Sequence, residues 1–295
     1  MNTLLKTGFF FSALLMFQGL KAQDVDALIQ EGLMLHEKEK YTEAIRVYHK
    51  ALDILPESPV INAEIAMSYL YAGDSEKALV YSEKALRLPG GHFSGVYLTK
   101  GSALRNMGKL PEAAAAFKEG LVDSGPYYML HYSLGQVNYL QGLDDEAIAE
   151  LTQAISLQPN HGNSHLLLGY VMLDRMKKPE ALMSLLYFLL LDPGTDRSDE
   201  AFSALWSELG NQKSIVVFTT AVSGFLKEIS AESPVPVLSF WKKFYFPFFR
   251  KLTAEGYSET FALYISRNAS SEAARKLNSD PRAFKAFMDW LEAYE

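Results

Sequence analysis

Asn138-Tyr-Leu-Gln-Gly-Leu-Asp-Asp-Glu-Ala-Ile-Ala-Glu-Leu-Thr-Gln-Ala-Ile-Ser-Leu-Gln-Pro159 decides the fold. It reads as the end of one helix, a tight turn at Gly142, a second helix and a proline stop. The pattern returns up and down the chain. Ala44, Ala78, Ala113, Ala147 and Ala181 lie 34, 35, 34 and 34 residues apart, and Gly32, Ala66, Gly101, Gly135 and Gly169 keep the same spacing. A fixed period of this length is the mark of stacked helical hairpins.

Each unit holds a helix A, a turn and a helix B. In the first unit helix B runs from Tyr41 to Leu55, where Ala44, Tyr48, Ala51 and Leu52 fall on one face at helical spacing. Pro56, Pro159 and Pro193 share the position that ends helix B, and Pro89 and Pro126 are each displaced by one residue. Gly73, Gly108 and Gly142 share the turn between A and B, where a left-handed residue is expected. The small residues at 32, 66, 101, 135 and 169 are expected to face the alanine of helix B, so that two backbones approach closely.

These residues carry a resemblance. The chain is similar to tetratricopeptide repeat (TPR) proteins, best in Gly101…Ala113…Phe117, Gly135…Ala147…Ala154…Pro159 and Gly169…Ala181…Pro193. The likeness spans about five units, near 25–58, 59–93, 94–127, 128–161 and 162–195. It departs from the family early in helix A, where the usual bulky aromatic is Leu28, Asn62, Tyr97, His131 and His165. The resemblance implies an all-α fold: a right-handed α-solenoid of about five hairpins over residues 24–195, followed by further helices. Residues 196–230 are a candidate degenerate sixth hairpin. Residues 231–295 form a helical C-terminal domain, expected to cap the last apolar face of the solenoid.

The resemblance also implies a site. In TPR proteins helix A lines a concave groove that takes peptides or helices. Carried onto this sequence, the groove set is Met67, Tyr71, Arg105, Asn106, Met129, Tyr132, Gln136, Tyr139 and Tyr170, with Leu70, Ser102 and Asp174 beside them. Tyrosine and methionine combine apolar contact with polar or adaptable edges, which suits a binding surface. The competing expectation is that the C-terminal helices fill this groove. The family's clamp for acidic C-terminal peptides needs Lys and Asn where this chain has Ile29, Leu33 and Glu64, so that mode is not expected.

Composition bounds the rest. The 295 residues carry a formal net charge of −7, which argues against a broad basic surface for nucleic acid. Without cysteine there is no disulfide, thiolate zinc site, cysteine nucleophile or lipidated cysteine. Lys6 followed by the apolar run Gly8–Leu20 reads as a signal peptide, residues 1–22, cleaved after Ala22. Cleavage would leave 26 basic against 35 acidic residues. The mature chain is therefore expected outside the cytoplasm, in a bacterial periplasm, with an uncleaved N-terminal anchor as the alternative.

No Walker, dinucleotide, Gly-x-Ser-x-Gly or His-Glu-x-x-His pattern is present, so no catalytic residue, cofactor or metal is assigned. His161 and His165, four apart, are read as packing residues rather than ligands, since a zinc site needs a third protein ligand. Asp144-Asp145-Glu146 complements a helix N-terminus. The segment Phe240-Trp-Lys-Lys-Phe-Tyr-Phe-Pro-Phe-Phe-Arg-Lys251 interleaves cations with aromatics. It is read as a kinked core helix with Phe240, Phe244, Phe248 and Leu252 inward and the cations snorkelling. Membrane contact is disfavoured, and no sedimentation with anionic liposomes is expected. The functional expectation is a non-enzymatic scaffold holding a protein or peptide partner in its groove. The alternative is that the C-terminal domain is a membrane-binding, glycan-binding or enzymatic module targeted by the array.

Overall fold

The computed structural model describes residues 24–210, 214–231 and 238–294. The predicted signal peptide and the Ser233-Pro-Val-Pro236 break lie outside the described residues. Within them the protein is all-α, and no strand occurs. Helix α1 spans residues 24–37. Then follow α2 (Tyr41–Ile54), α3 (Pro59–Tyr71), α4 (Ser75–Leu86), α5 (Ser94–Asn106), α6 (Leu110–Ser124) and α7 (Tyr128–Leu140). The chain continues through α8 (Asp144–Leu157), α9 (Gly162–Asp174), α10 (Lys178–Leu191), α11 (Asp196–Glu208) and α12 (Ile215–Ser230). The last four are α13 (Ser239–Ala254), α14 (Ser258–Ser266), α15 (Ser271–Ser279) and α16 (Pro281–Tyr294). Two compact units result, one ending at Gly142 and one beginning at Leu143, divided at the turn of the fourth hairpin.

The turns between A and B obey one rule. Gly73, Gly108, Gly142 and Gly210 take φ of 85°, 75°, 73° and 101°. At the same register stand Glu39 (φ 60°) and Met176 (φ 55°), the two non-glycine residues in the left-handed region among the described residues. The helical hairpin closes the same way whether or not glycine is there, and the two side chains carry the strain. Gly210 extends this register into α11 and α12, which form a hairpin whose core includes Phe202, Trp206 and Phe218, the last two stacked at 5.1 Å. Its first helix is fastened by a capping box: Thr195 and Ser198 exchange side-chain and backbone bonds, with Thr195 N–H donating to Ser198 Oγ at 2.7 Å.

The close approach of A to B works differently from the sequence expectation. Glycine on helix A does not meet the alanine of helix B; it lies beneath the side chain one turn later. A Cβ on Gly32 would sit 2.3 Å from the Tyr48 ring, and one on Gly101 2.3 Å from the Phe117 ring. On Gly169 it would meet Leu185 at 2.6 Å. The empty position accommodates a large side chain, and the fully buried alanines keep the helices close beside it. The second hairpin inverts the pairing: Ala66 on A is matched in register by Ser82 on B, both fully buried.

In the second unit α10 departs from an amphipathic helix. Glu180–Leu186 and Phe188–Leu190 are all buried, because helices cover it on more than one side. One of these is α13. The predicted inward set of that helix is corrected. Trp241, Tyr245, Phe246, Phe248, Phe249 and Leu252 are buried, whereas Phe240 and Phe244 are only half-buried at the margin. Phe248 and Leu252 are inward as expected, while Trp241 and Tyr245 take the places expected of Phe240 and Phe244; the indole N–H of Trp241 finds acceptors inside, donating to Glu180 O at 2.9 Å and Ser184 Oγ at 3.0 Å. Pro247 stands within α13 on its exposed side. The closing α16 is capped by Asp280, which accepts from Ala283 N–H at 3.0 Å.

Candidate partner-binding face

In the first unit, three A helices each bury one face and leave another half-buried or exposed. Helix α3 buries Ile61, Asn62, Ile65, Ala66 and Ser68, and α5 buries Val96, Tyr97, Gly101 and Leu104. Helix α7 buries Leu130, Ser133, Leu134, Val137 and Asn138. The remaining face carries Met67, Leu70 and Tyr71 on α3, Ser102, Arg105 and Asn106 on α5, and Met129, Tyr132, Gln136 and Tyr139 on α7. All are half-buried or exposed. Helical periodicity alone produces this: positions three, four and seven apart share a side, and the opposite side is committed to the hairpin core.

Polar contacts tie this face together. Arg105 donates Nη1 to Gln136 Oε1 across α5 and α7, and its Nη2 lies 3.5 Å from Asn106 Oδ1. Tyr71 is 61% exposed yet held in place. Its ring stacks on Tyr41 with centroids 5.7 Å apart, and His36 meets it edge-on at 5.2 Å. His36 in turn shares a hydrogen bond with Ser68 Oγ at 2.9 Å, and burial lowers the proton affinity of its imidazole. An exposed aromatic whose rotamer is fixed by neighbours loses little entropy on binding. Sequence reasoning passed over His36 and Tyr41. His36 was within reach, since it occupies in α1 the register that Leu70, Arg105 and Tyr139 occupy in the next three A helices.

Glu64, also on α3, accepts a 3.5 Å hydrogen bond from Tyr48 OH, and burial pushes its carboxyl upward. Of the nine predicted groove residues, eight lie on α3, α5 and α7 of the first unit. The ninth, Tyr170, belongs to the second unit, on α9. It is half-buried, and its phenol is pushed up by burial and then by the charge of Glu200 on α11. Asp174 on the same helix is exposed.

The C-terminal helices of the second unit engage helix B of the fifth hairpin. Besides the Trp241 bonds, Leu238 N–H donates to the buried Glu180 Oε1 at 3.1 Å. The Tyr187 ring lies 5.3–5.6 Å from Phe244, Tyr245 and Phe248. His165 seals the joint. Its Nε2–H donates to Pro159 O at 2.8 Å, so Nδ1 accepts from Tyr245 OH at 2.7 Å. Burial drives its pKa down to about 4, against the opposing pull of the Pro159 carbonyl. His161 bonds Ser164 Oγ at 2.8 Å. Among the described residues no group of three or more His, Cys, Asp or Glu side chains is placed to hold a metal ion. No described helix is long and apolar enough to cross a membrane.

The stacked hairpins with their periodic turns have known counterparts. Residues 98–162 match the family model described as "Tetratricopeptide repeat". Residues 98–162 carry tetratricopeptide repeats. Among curated proteins, the mitochondrial import receptor subunit TOM70 of Saccharomyces cerevisiae is 36% identical over 87 residues. That match spans 30% of this chain and 14% of the receptor. Among solved structures, a thermophilic TPR protein of Thermus thermophilus, TTC0263, is 24% identical with a TM-score of 0.53, over 61% of this chain and 98% of its own. PilF of Pseudomonas aeruginosa is 18% identical with a TM-score of 0.59, over 76% and 97%. PilW, described as a widely conserved type IV pilus biogenesis factor, is 17% identical with a TM-score of 0.59, over 75% and 98%. At these identities the structural likeness establishes the TPR fold, an α-solenoid, and nothing finer.

Proposed function

We propose that this TPR protein is a non-enzymatic interaction scaffold that holds a partner peptide or helix on the open face of α3, α5 and α7. One observation carries the reading. The Met67, Tyr71, Arg105, Asn106, Met129, Tyr132, Gln136 and Tyr139 face stays half-buried or exposed while each A helix buries its other side. A surface of tyrosine, methionine and arginine has the composition of interface hot spots. Replacing Tyr132 and Tyr139 by Ala should reduce capture of the partner from a native envelope fraction at least tenfold, with circular dichroism unchanged. Undiminished capture by a helical variant would remove the assignment.

The proposed setting is extracytoplasmic, on the strength of Lys6 and the apolar run Gly8–Leu20. N-terminal sequencing of the exported protein should begin at Gln23; recovery of the full-length chain in the cytoplasm rejects this setting. An autonomous C-terminal module is disfavoured by the buried bonds from Trp241 to Glu180 and Ser184, which make the tail continuous with the fifth hairpin.

A further inference from the structure

Helix α13 buries its aromatic residues and turns its cations outward. Trp241, Tyr245, Phe249 and Leu252 are fully buried. On the other side Lys242, Lys243, Arg250 and Lys251 are all exposed, and the helix contains no carboxylate. At 100° per residue, Lys243 and Arg250 share one line, on which the buried Phe246 stands between them with Arg250 5.3 Å over its ring, and Lys242 and Lys251 lie to either side. Arg250 donates to Ala231 O at 3.3 Å, and Lys251 lies 5.0 Å from the Tyr294 ring. Among the described residues none of the four forms an ion pair. The background makes this concentration stand out. Residues 24–231 hold 27 acidic against 17 basic side chains, whereas residues 238–295 hold 9 basic against 7 acidic.

We infer that the outer face of α13 is a second docking surface, which takes an acidic segment of a protein partner. Lys243 and Arg250 are about 10 Å apart along the axis. A matching segment presents two carboxylates at that separation: seven residues apart on a helix, or about three on an extended chain. Charge complementarity selects this occupant over a lipid surface for two reasons. The aromatic side of α13 is sealed in the core, so the helix has no apolar face to insert. An extended anionic surface also meets the net charge of −7 of the whole chain, whereas a short segment meets only the four cations. It draws on none of the residues of the face proposed on α3, α5 and α7.

The test uses the full chain and two probes. One is a fluorescent alanine-rich helical peptide with glutamates seven residues apart, paired with a control carrying lysines there. The other is vesicles of phosphatidylglycerol. The glutamate peptide should bind saturably at low salt, the lysine peptide should not, and raising the salt should release it. Lys242→Glu with Lys243→Glu should weaken binding at least tenfold without changing the circular dichroism, while Tyr132→Ala leaves it unaltered. Absence of saturable binding, or equal binding by the charge-reversed variant, overturns the proposal. So does sedimentation with vesicles in the absence of peptide binding, which would assign the surface to lipid.

Discussion

At the scale of single residues, the repeat is written in two kinds of glycine with opposite sensitivities. Gly101 lies under the Phe117 ring, and an added methyl would stand 2.3 Å from a ring carbon. Gly101→Ala should destabilise the first unit by about 1–3 kcal/mol, the usual cost of overpacking, seen as a lower denaturant midpoint. The turn register behaves conversely. Met176 is 91% exposed and held at φ 55°. Met176→Gly should stabilise by about 0.5–1 kcal/mol, because relief of left-handed strain exceeds the added freedom of the unfolded chain. A stabilising Gly101→Ala or a destabilising Met176→Gly would mean that these side chains are placed otherwise.

At the scale of elements, the seating of α13 on α9 and α10 depends on a neutral histidine. His165 keeps a pKa of about 4 in the folded protein through burial, against 6.5 when unfolded. Between these values the unfolded chain binds the extra proton, so stability is complete above 6.5 and declines as pH falls toward 4. The full contribution is roughly 3 kcal/mol. Denaturant titrations of the second unit from pH 7.5 to 4 should show this loss, and His165→Gln should flatten it. A pH-independent wild type would contradict the buried neutral imidazole. Burial also pushes the Tyr245 phenol upward, which keeps it a donor to His165 throughout this range.

At the scale of the molecule, the two units raise different questions. The first supplies an open face; the second closes its own. Its fifth-hairpin helix α10 is buried on nearly every side, so the tail is a structural necessity for it. A chain ending at residue 231 should aggregate, having exposed the apolar surface that Trp241, Tyr245 and Phe248 cover. Residues 238–295 expressed alone should lack cooperative unfolding in a thermal melt. A sharp transition for the isolated tail would revive the autonomous module. The near-continuous apolar run Leu185–Leu191, broken by the half-buried Tyr187, was the legible sign that this helix needed cover.

The period, the hairpins, their proline stops and their turn glycines were determined by local sequence, because each depends on backbone geometry within a few residues. Eight of the nine proposed groove positions lie on α3, α5 and α7 for the same reason: a periodic sequence on regular helices repeats its faces. Tertiary structure alone decided what the small residues of helix A receive, which phase of α13 turns inward and where the tail docks. Those outcomes depend on volume and on buried donors finding acceptors far along the chain, as Trp241 does at Glu180 and Tyr245 at His165. No periodicity encodes such distant pairings.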